Sequence, residues 1–137
     1  MSLNHYFLDA SYIIALEIRD DQNHQKATKH WQDLDKKDLK LTTTSYVFDE
    51  VVTFLNSRNL HSKAVEVGKR LINSSVVQFI HVEEKVFFDS WDLFQKYNDK
   101  SYSLTDCISF AIMWQLKINN ALTFDQHFFQ AGFQKIP

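Results

Sequence analysis

Two rhythms of apolar and polar positions run through the chain, one suited to short buried strands and one to helices. Tyr6-Phe7-Leu8 is a short apolar run that stops at Asp9, as a buried parallel strand does at its carboxyl end. Residues 11–18 then read as a helix, and Asp20-Asp21-Gln22-Asn23 as a polar break. A second helix over 24–34 carries Ala27, Trp31 and Leu34 at helical spacing. Residues 39–43 form a second strand that runs into a Thr-Thr-Thr-Ser cluster able to cap the helix that follows. Helices are predicted over 46–56 and 61–72, and the β-branched and aromatic run 76–82 is the clearest strand of the chain. A helix over 83–97 puts Val86, Phe87, Trp91 and Phe94 on one side. After a polar loop at 98–103, residues 104–117 are apolar nearly all round, the mark of a helix buried inside a domain. Residues 121–124 make a further strand, and 133–137 a last short one.

Strands alternating with helices predict an α/β fold, a mainly parallel sheet flanked by helices. At 137 residues the chain has the commonest size of one domain, and a single domain over 1–137 is expected. With 2 Gly and 1 Pro, where average usage would give roughly 10 and 7, long helices and short connections are expected. The net charge of −2 supplies no global positive field to attract nucleic acid, so such a partner would need local basic patches or bound cations. Cys107 is the single cysteine, which excludes an internal disulfide and a cysteine-based zinc site. No apolar run reaches about 18 residues, and residues 1–5 have neither a basic nor an apolar leader segment. A cytoplasmic protein with no membrane role is the expectation.

In open parallel sheets, sites form outside the carboxyl ends of the strands. Asp9 and Asp125 both follow strands and belong on that edge; each would equally serve as the N-cap of the next helix. Asp106 opens the most apolar helix, and Ser103-Leu-Thr-Asp106 fits a capping box. Its neighbours Phe110 and Met113 make an ionised carboxylate costly there unless it is paired or bound to a cation. Glu50 lies between Tyr46 on one side and Val47 and Phe54 on the other, at the rim of an apolar stripe. Asp49 falls among Ser45, Thr53 and Asn56, toward water. Four acids gathered at one sheet edge repel one another unless a divalent cation screens them. A few carboxylates with water and phosphate oxygens are the usual shell of Mg²⁺, and such an ion activates water and stabilises charge on a phosphodiester.

Phe-Leu-Asp9-Ala-Ser11 after a strand, Glu50 in a mid-chain helix, Ser-Leu-Thr-Asp106 opening a buried helix, and Leu-Thr123-Phe-Asp125-Gln-His127-Phe128 together resemble the PIN domain in order and spacing. The compact length resembles the VapC-type ribonuclease toxins of bacterial toxin–antitoxin pairs. The resemblance spans nearly the whole chain. It implies a parallel sheet flanked by helices, an acidic pocket for Mg²⁺ or Mn²⁺, endonucleolytic cleavage of RNA, an antitoxin partner and a homodimer. It makes Asp9, Glu50, Asp106 and Asp125 the metal-holding and catalytic residues, with Ser11 and Thr123 as supporting groups. Two departures are visible: Asn119-Asn120 stand where a glycine turn is common, and the chain carries 12 Phe.

Other readings stay beside this one. A non-toxin PIN nuclease of RNA processing has the same chemistry. A receiver-like Mg²⁺-binding module would need paired acids after the first strand, where Asp9 stands alone, and a phosphoacceptor Asp after a middle strand, where Glu83-Glu84 stand. A PIN-like fold that only binds RNA or protein is opposed by the four intact acids. Histidines show no His-Glu-x-x-His pair, and Gly68 and Gly132 cannot form a phosphate-cradling loop. His127 reads as a surface or capping residue, with a place facing substrate as the alternative, and Cys107 as an inert buried thiol. Arg58, Lys63, Lys69 and Arg70 form a modest basic group, either a solvated face or a contact for an RNA backbone.

Overall fold

The computed structural model describes residues 4–137. Five strands and seven helices alternate: β1 His5–Leu8, α1 Ala10–Glu17, α2 His24–Asp33, β2 Lys40–Thr44, α3 Ser45–Ser57, α4 His61–Asn73, β3 Val77–Ile80, α5 Glu84–Lys96, α6 Leu104–Leu116, β4 Asn120–Leu122, α7 Gln126–Gln130 and β5 Gln134–Ile136. The strands make one sheet in the order β3-β2-β1-β4-β5, with every pair parallel. Phe7 is in register with Thr42 on one side and Ala121 on the other. Phe7, Leu8, Leu41, Ala121 and Leu122 are all buried, as expected when helices cover both faces of a parallel sheet. A receiver-like fold has strand order 2-1-3-4-5, so the order seen here sets that reading aside.

Strand order creates the site. From β1 the chain proceeds outward through β2 and β3 on one side, and through β4 and β5 on the other. The carboxyl ends of β1 and β4 therefore flank the point where the winding reverses, the place where open α/β sheets leave a crevice. Thr43 strengthens that edge by donating from its hydroxyl to the Leu8 carbonyl at 2.9 Å.

Several elements differ from the sequence pattern for identifiable reasons. The strand predicted over 76–82 is confined to Val77–Ile80, because β3 is a sheet edge and the Val82 N–H turns to the Ser45 hydroxyl at 3.0 Å. The strand predicted over 121–124 ends at Leu122, since the Phe124 N–H donates to Ser11 Oγ at 2.9 Å instead of to a neighbouring strand. Helix α7 was not predicted as an element of its own. Trp91 does not join the buried side of α5; it is exposed, while the small Ser90 is buried where α5 packs along α6. Helix α6 is buried through Met113 and then emerges with Trp114 exposed. The turn after it uses Lys117 in the left-handed conformation, φ 58°, where a glycine is the easy choice.

Candidate active site

Asp9 ends β1 and is the N-cap of α1, almost fully buried at 6% exposure. Its Oδ2 accepts from Ser11 Oγ and from Thr123 Oγ1, both at 2.7 Å, and from the Ser11 N–H at 3.4 Å. Ser11 Oγ and Thr123 Oγ1 are 3.1 Å apart, and Thr123 Oγ1 accepts the Asp125 N–H at 3.0 Å. The supporting pair thus ties the exit of β1 to the exit of β4. Oδ1 of Asp9 accepts nothing from the described residues.

Asp106 closes the capping box that Ser103-Leu-Thr-Asp106 predicts: its N–H donates to Ser103 Oγ and its Oδ2 accepts the Ser103 N–H, each at 3.0 Å. The same Oδ2 lies 2.8 Å from His127 Nδ1. Asp125 is the N-cap of α7, its Oδ1 accepting the His127 N–H at 2.9 Å. The capping and functional readings of these acids are compatible, because a carboxylate has two oxygens. In Asp9, Asp106 and Asp125 alike, one oxygen is held by protein donors and the other takes none from the described residues.

Glu50 lies on α3, exposed like its neighbour Asp49, and accepts no hydrogen bond from the described residues, whereas Asp49 accepts from Thr53 Oγ1 at 3.2 Å. Desolvation, followed by the charges of Asp9, Asp106, Asp125 and Asp49, pushes the Glu50 carboxyl up to about 7, although the residue meets solvent. Burial raises Asp9 above the usual carboxylate range against the hydrogen bonds of Thr123 and Ser11, with Asp106 and Asp125 adding to the rise. Asp106 is raised by burial as well, opposed by Ser103 and His127. Among the described residues no lysine or arginine forms an ion pair with any of the four. Two buried carboxylates, Asp9 and Asp106, a half-buried Asp125 and an exposed Glu50, mutually repelling and each left with an open oxygen, make a donor set suited to a hard divalent cation such as Mg²⁺ or Mn²⁺.

One donor atom each of Asp106, Asp125 and His127 lie within 4.8 Å of one another. Asp9 joins that group through Thr123, and Glu50 through its field. His127 is the residue that sequence reasoning set aside: its ring sits on Asp106 and packs edge-on against Tyr102 at 5.3 Å. The Asp125-x-His127 spacing signals a capped turn, but nothing local reveals the reach to α6. The basic group divides differently. Arg70 pairs with Glu17 at 2.8 Å and Glu66 at 2.9 Å, Lys63 reaches Glu17 at 3.9 Å, and Arg58 lies over the Phe54 ring at 4.9 Å. A cavity lined by residues such as Tyr12, Trp31, Val67 and Leu71 includes none of the four carboxylates.

Comparison with known proteins agrees with this fold. The sequence model of the PIN domain matches residues 6–134. The chain is 32% identical over 130 residues to a protein named 23S rRNA-specific endonuclease VapC20 from two strains of Mycobacterium tuberculosis, covering 95% of this chain and 96% of that protein. The crystal structure of Mycobacterium tuberculosis VapC20, described as a sarcin–ricin loop cleaving toxin, superposes with a TM-score of 0.87 at 31% identity, covering 96% of this chain and 98% of that one. FitAcB from Neisseria gonorrhoeae, at 16% identity and a TM-score of 0.66 over 96% of each chain, shares the fold. With its parallel sheet, its acids at the winding reversal and a match across nearly all its length, this chain belongs to the PIN domain family.

Proposed function

We propose that this protein is a metal-dependent endoribonuclease of the VapC type, with Asp9, Glu50, Asp106 and Asp125 holding Mg²⁺ or Mn²⁺. The observation that carries the reading is the acid cluster without a protein cation, each of Asp9, Asp106 and Asp125 keeping one oxygen free, in a chain 32% identical along 95% of its length to an endonuclease. When bound, the cation supplies charge neutralisation of the scissile phosphodiester and a lowered pKa for the attacking water. The protein's own residues do the rest. Ser11 and Thr123 fix the rotamer of Asp9, and the capping box fixes Asp106 at the start of a buried helix. The hydroxyl pair also locks β1 to β4, so the acids from the two strand ends keep their spacing.

The similarity to VapC20 makes the sarcin–ricin loop of 23S rRNA the substrate to test first, and an antitoxin the partner. A homodimer is part of the same reading, with exposed apolar residues such as Phe88 and Trp91 available for association; light scattering that finds monomer alone at high concentration refutes the dimer without touching the nuclease. No helix among the described residues is long and apolar enough to cross a membrane, and the protein acts in the cytoplasm, where its RNA substrate is. The test is cleavage of a sarcin–ricin hairpin RNA with Mn²⁺, its arrest by EDTA and its loss in a folded Asp106→Asn protein. Undiminished cleavage by that variant overturns the assignment. Cleavage of other RNAs but not of this hairpin keeps the nuclease and rejects the target.

A further inference from the structure

We propose that His127 is a positioning residue that fixes the carboxylates of Asp106 and Asp125 against each other, so that the pair meets a divalent cation already aligned. The inference rests on the metal-centre reading above and names a residue that this reading does not need.

His127 holds both acids at once. Its backbone N–H donates to Asp125 Oδ1 at 2.9 Å, and its ring Nδ1 lies 2.8 Å from Asp106 Oδ2. Asp106 belongs to α6 and Asp125 to the cap of α7, so without this link their spacing depends on how the two helices pack. The link is itself anchored on both sides. Phe128, the next residue, is fully buried and packs edge-on against Phe110 at 5.1 Å. The His127 ring stands edge-on to Tyr102, which is buried and packs in the same manner on Phe110 at 5.1 Å. Phe110 lies one helical turn beyond Asp106 in α6, so one aromatic residue registers both the ring and the backbone of His127 to the helix that carries the acid.

A direct ligand role for the ring is the competing possibility, since the donor atoms are close enough to share an ion. The geometry favours positioning. An ionised Asp106 can only accept, so the hydrogen bond at 2.8 Å puts the proton on Nδ1 and leaves that nitrogen no lone pair for a cation. Nε2 is then the one ring atom able to ligate, which the search for a coordinated nitrogen tests. Held in this way, Asp106 commits Oδ2 to Ser103 and His127 and leaves Oδ1 to the metal. Partners of this kind behind a ligand orient it and raise affinity.

The experiment measures Mn²⁺ binding without RNA, from the free-ion electron paramagnetic resonance signal, in the wild type and in His127→Leu and His127→Asn. Leu keeps bulk and removes the donor, whereas the Asn amide nitrogen falls near the place of Nδ1. His127→Leu is expected to weaken Mn²⁺ binding by about 10–100-fold and His127→Asn to stay within about threefold of wild type. Pulsed resonance of the Mn²⁺-loaded wild type is expected to show no directly coordinated nitrogen. Unchanged affinity in His127→Leu, equal loss in both variants, or a coordinated nitrogen that disappears on mutation each overturns the proposal. If His127→Leu does not fold, His127→Asn decides: near-native affinity supports positioning and a tenfold or greater loss, on the scale of a deleted outer partner, refutes it. A wild type that binds no Mn²⁺ fails the metal-centre reading itself, before any variant is made.

Discussion

The two ends of α1 each carry a buried or nearly buried acid, on the order of 12 Å apart along the helix, and they are satisfied in opposite ways. At its last residue, Glu17 meets Arg70 at 2.8 Å and Lys63 at 3.9 Å, and Arg70 also bridges to Glu66. The chain provides every cation that this end needs. At its cap, Asp9 meets two hydroxyls and the helix N-terminus, where partial positive charge favours an anion. Its charged neighbours are other acids, and burial raises it above the usual carboxylate range. Opposite charges that close on themselves mark architecture. Like charges gathered at a strand edge, each with an open oxygen, are what the proposed cation would complete from outside.

The largest effect that separates the two ends is on catalysis. Asp9→Asn, Asp106→Asn and Glu50→Gln are each expected to lower the metal-dependent cleavage rate by ~10²–10³ or more, the scale of losing electrostatic stabilisation of a transition state. Arg70→Met should leave the rate unchanged, as should Asp49→Asn, which lies on the exposed side of α3 bonded to Thr53. Circular dichroism must show each variant folded. A rate that falls more with Asp49→Asn than with Glu50→Gln would reverse the assignment of the two adjacent acids.

Stability should distinguish the ends next. A ligand that binds only the native state at 100 times its dissociation constant adds about 2.7 kcal/mol, so Mn²⁺ is expected to raise the melting temperature. The rise should shrink in Asp9→Asn and Asp125→Asn and persist in Arg70→Met. A melting curve that ignores millimolar Mn²⁺ would leave the acid cluster without its cation.

Smaller still is the effect of opening the closed pair. Arg70→Met removes contacts with Glu17 and Glu66, and exposed ion pairs contribute up to about 1 kcal/mol each. Thermal unfolding should show that loss at low salt and less of it at high salt. The last effect is on pH dependence without metal, and solvent at the exposed Glu50 screens it. Glu50 titrates near 4.5 ordinarily and at about 7 in the folded protein. A raised carboxyl favours the folded state while protonated, so its contribution is full below about pH 4.5 and is lost as the pH rises through 7. In EDTA, stability should therefore decline across that window; Glu50→Gln should flatten the decline, and Mn²⁺ should oppose it by favouring the ionised acids.

Much of this was legible in local pattern, because local pattern reports backbone conformation and periodic burial. An apolar run stopping at Asp9 marks a strand end and Ser103-Leu-Thr-Asp106 marks a capping box that the structure contains, whereas the spacing that sets Asp49 toward water and Glu50 at an apolar rim did not register that both are exposed. The order of secondary elements indicated an α/β fold with a parallel sheet, and the order and spacing of the acids carried the family resemblance. Hydrophobic pattern does not encode strand order, and only strand order set β1 beside β4 and so brought Asp9 to Asp125. The same limit applies to every bond between distant elements: Thr123 to Asp9, His127 to Asp106, and Arg70 to Glu17. It applies to burial at a helix margin too, where the tight approach of α5 to α6 placed Ser90 inside and left Trp91 in solvent. Residue type and spacing determined which groups could act and how each capped its own helix, through dihedral preference and amphipathic period; packing decided which acids met and added Thr123 to Asp9 and His127 to Asp106, because those donors arrive from elsewhere in the chain.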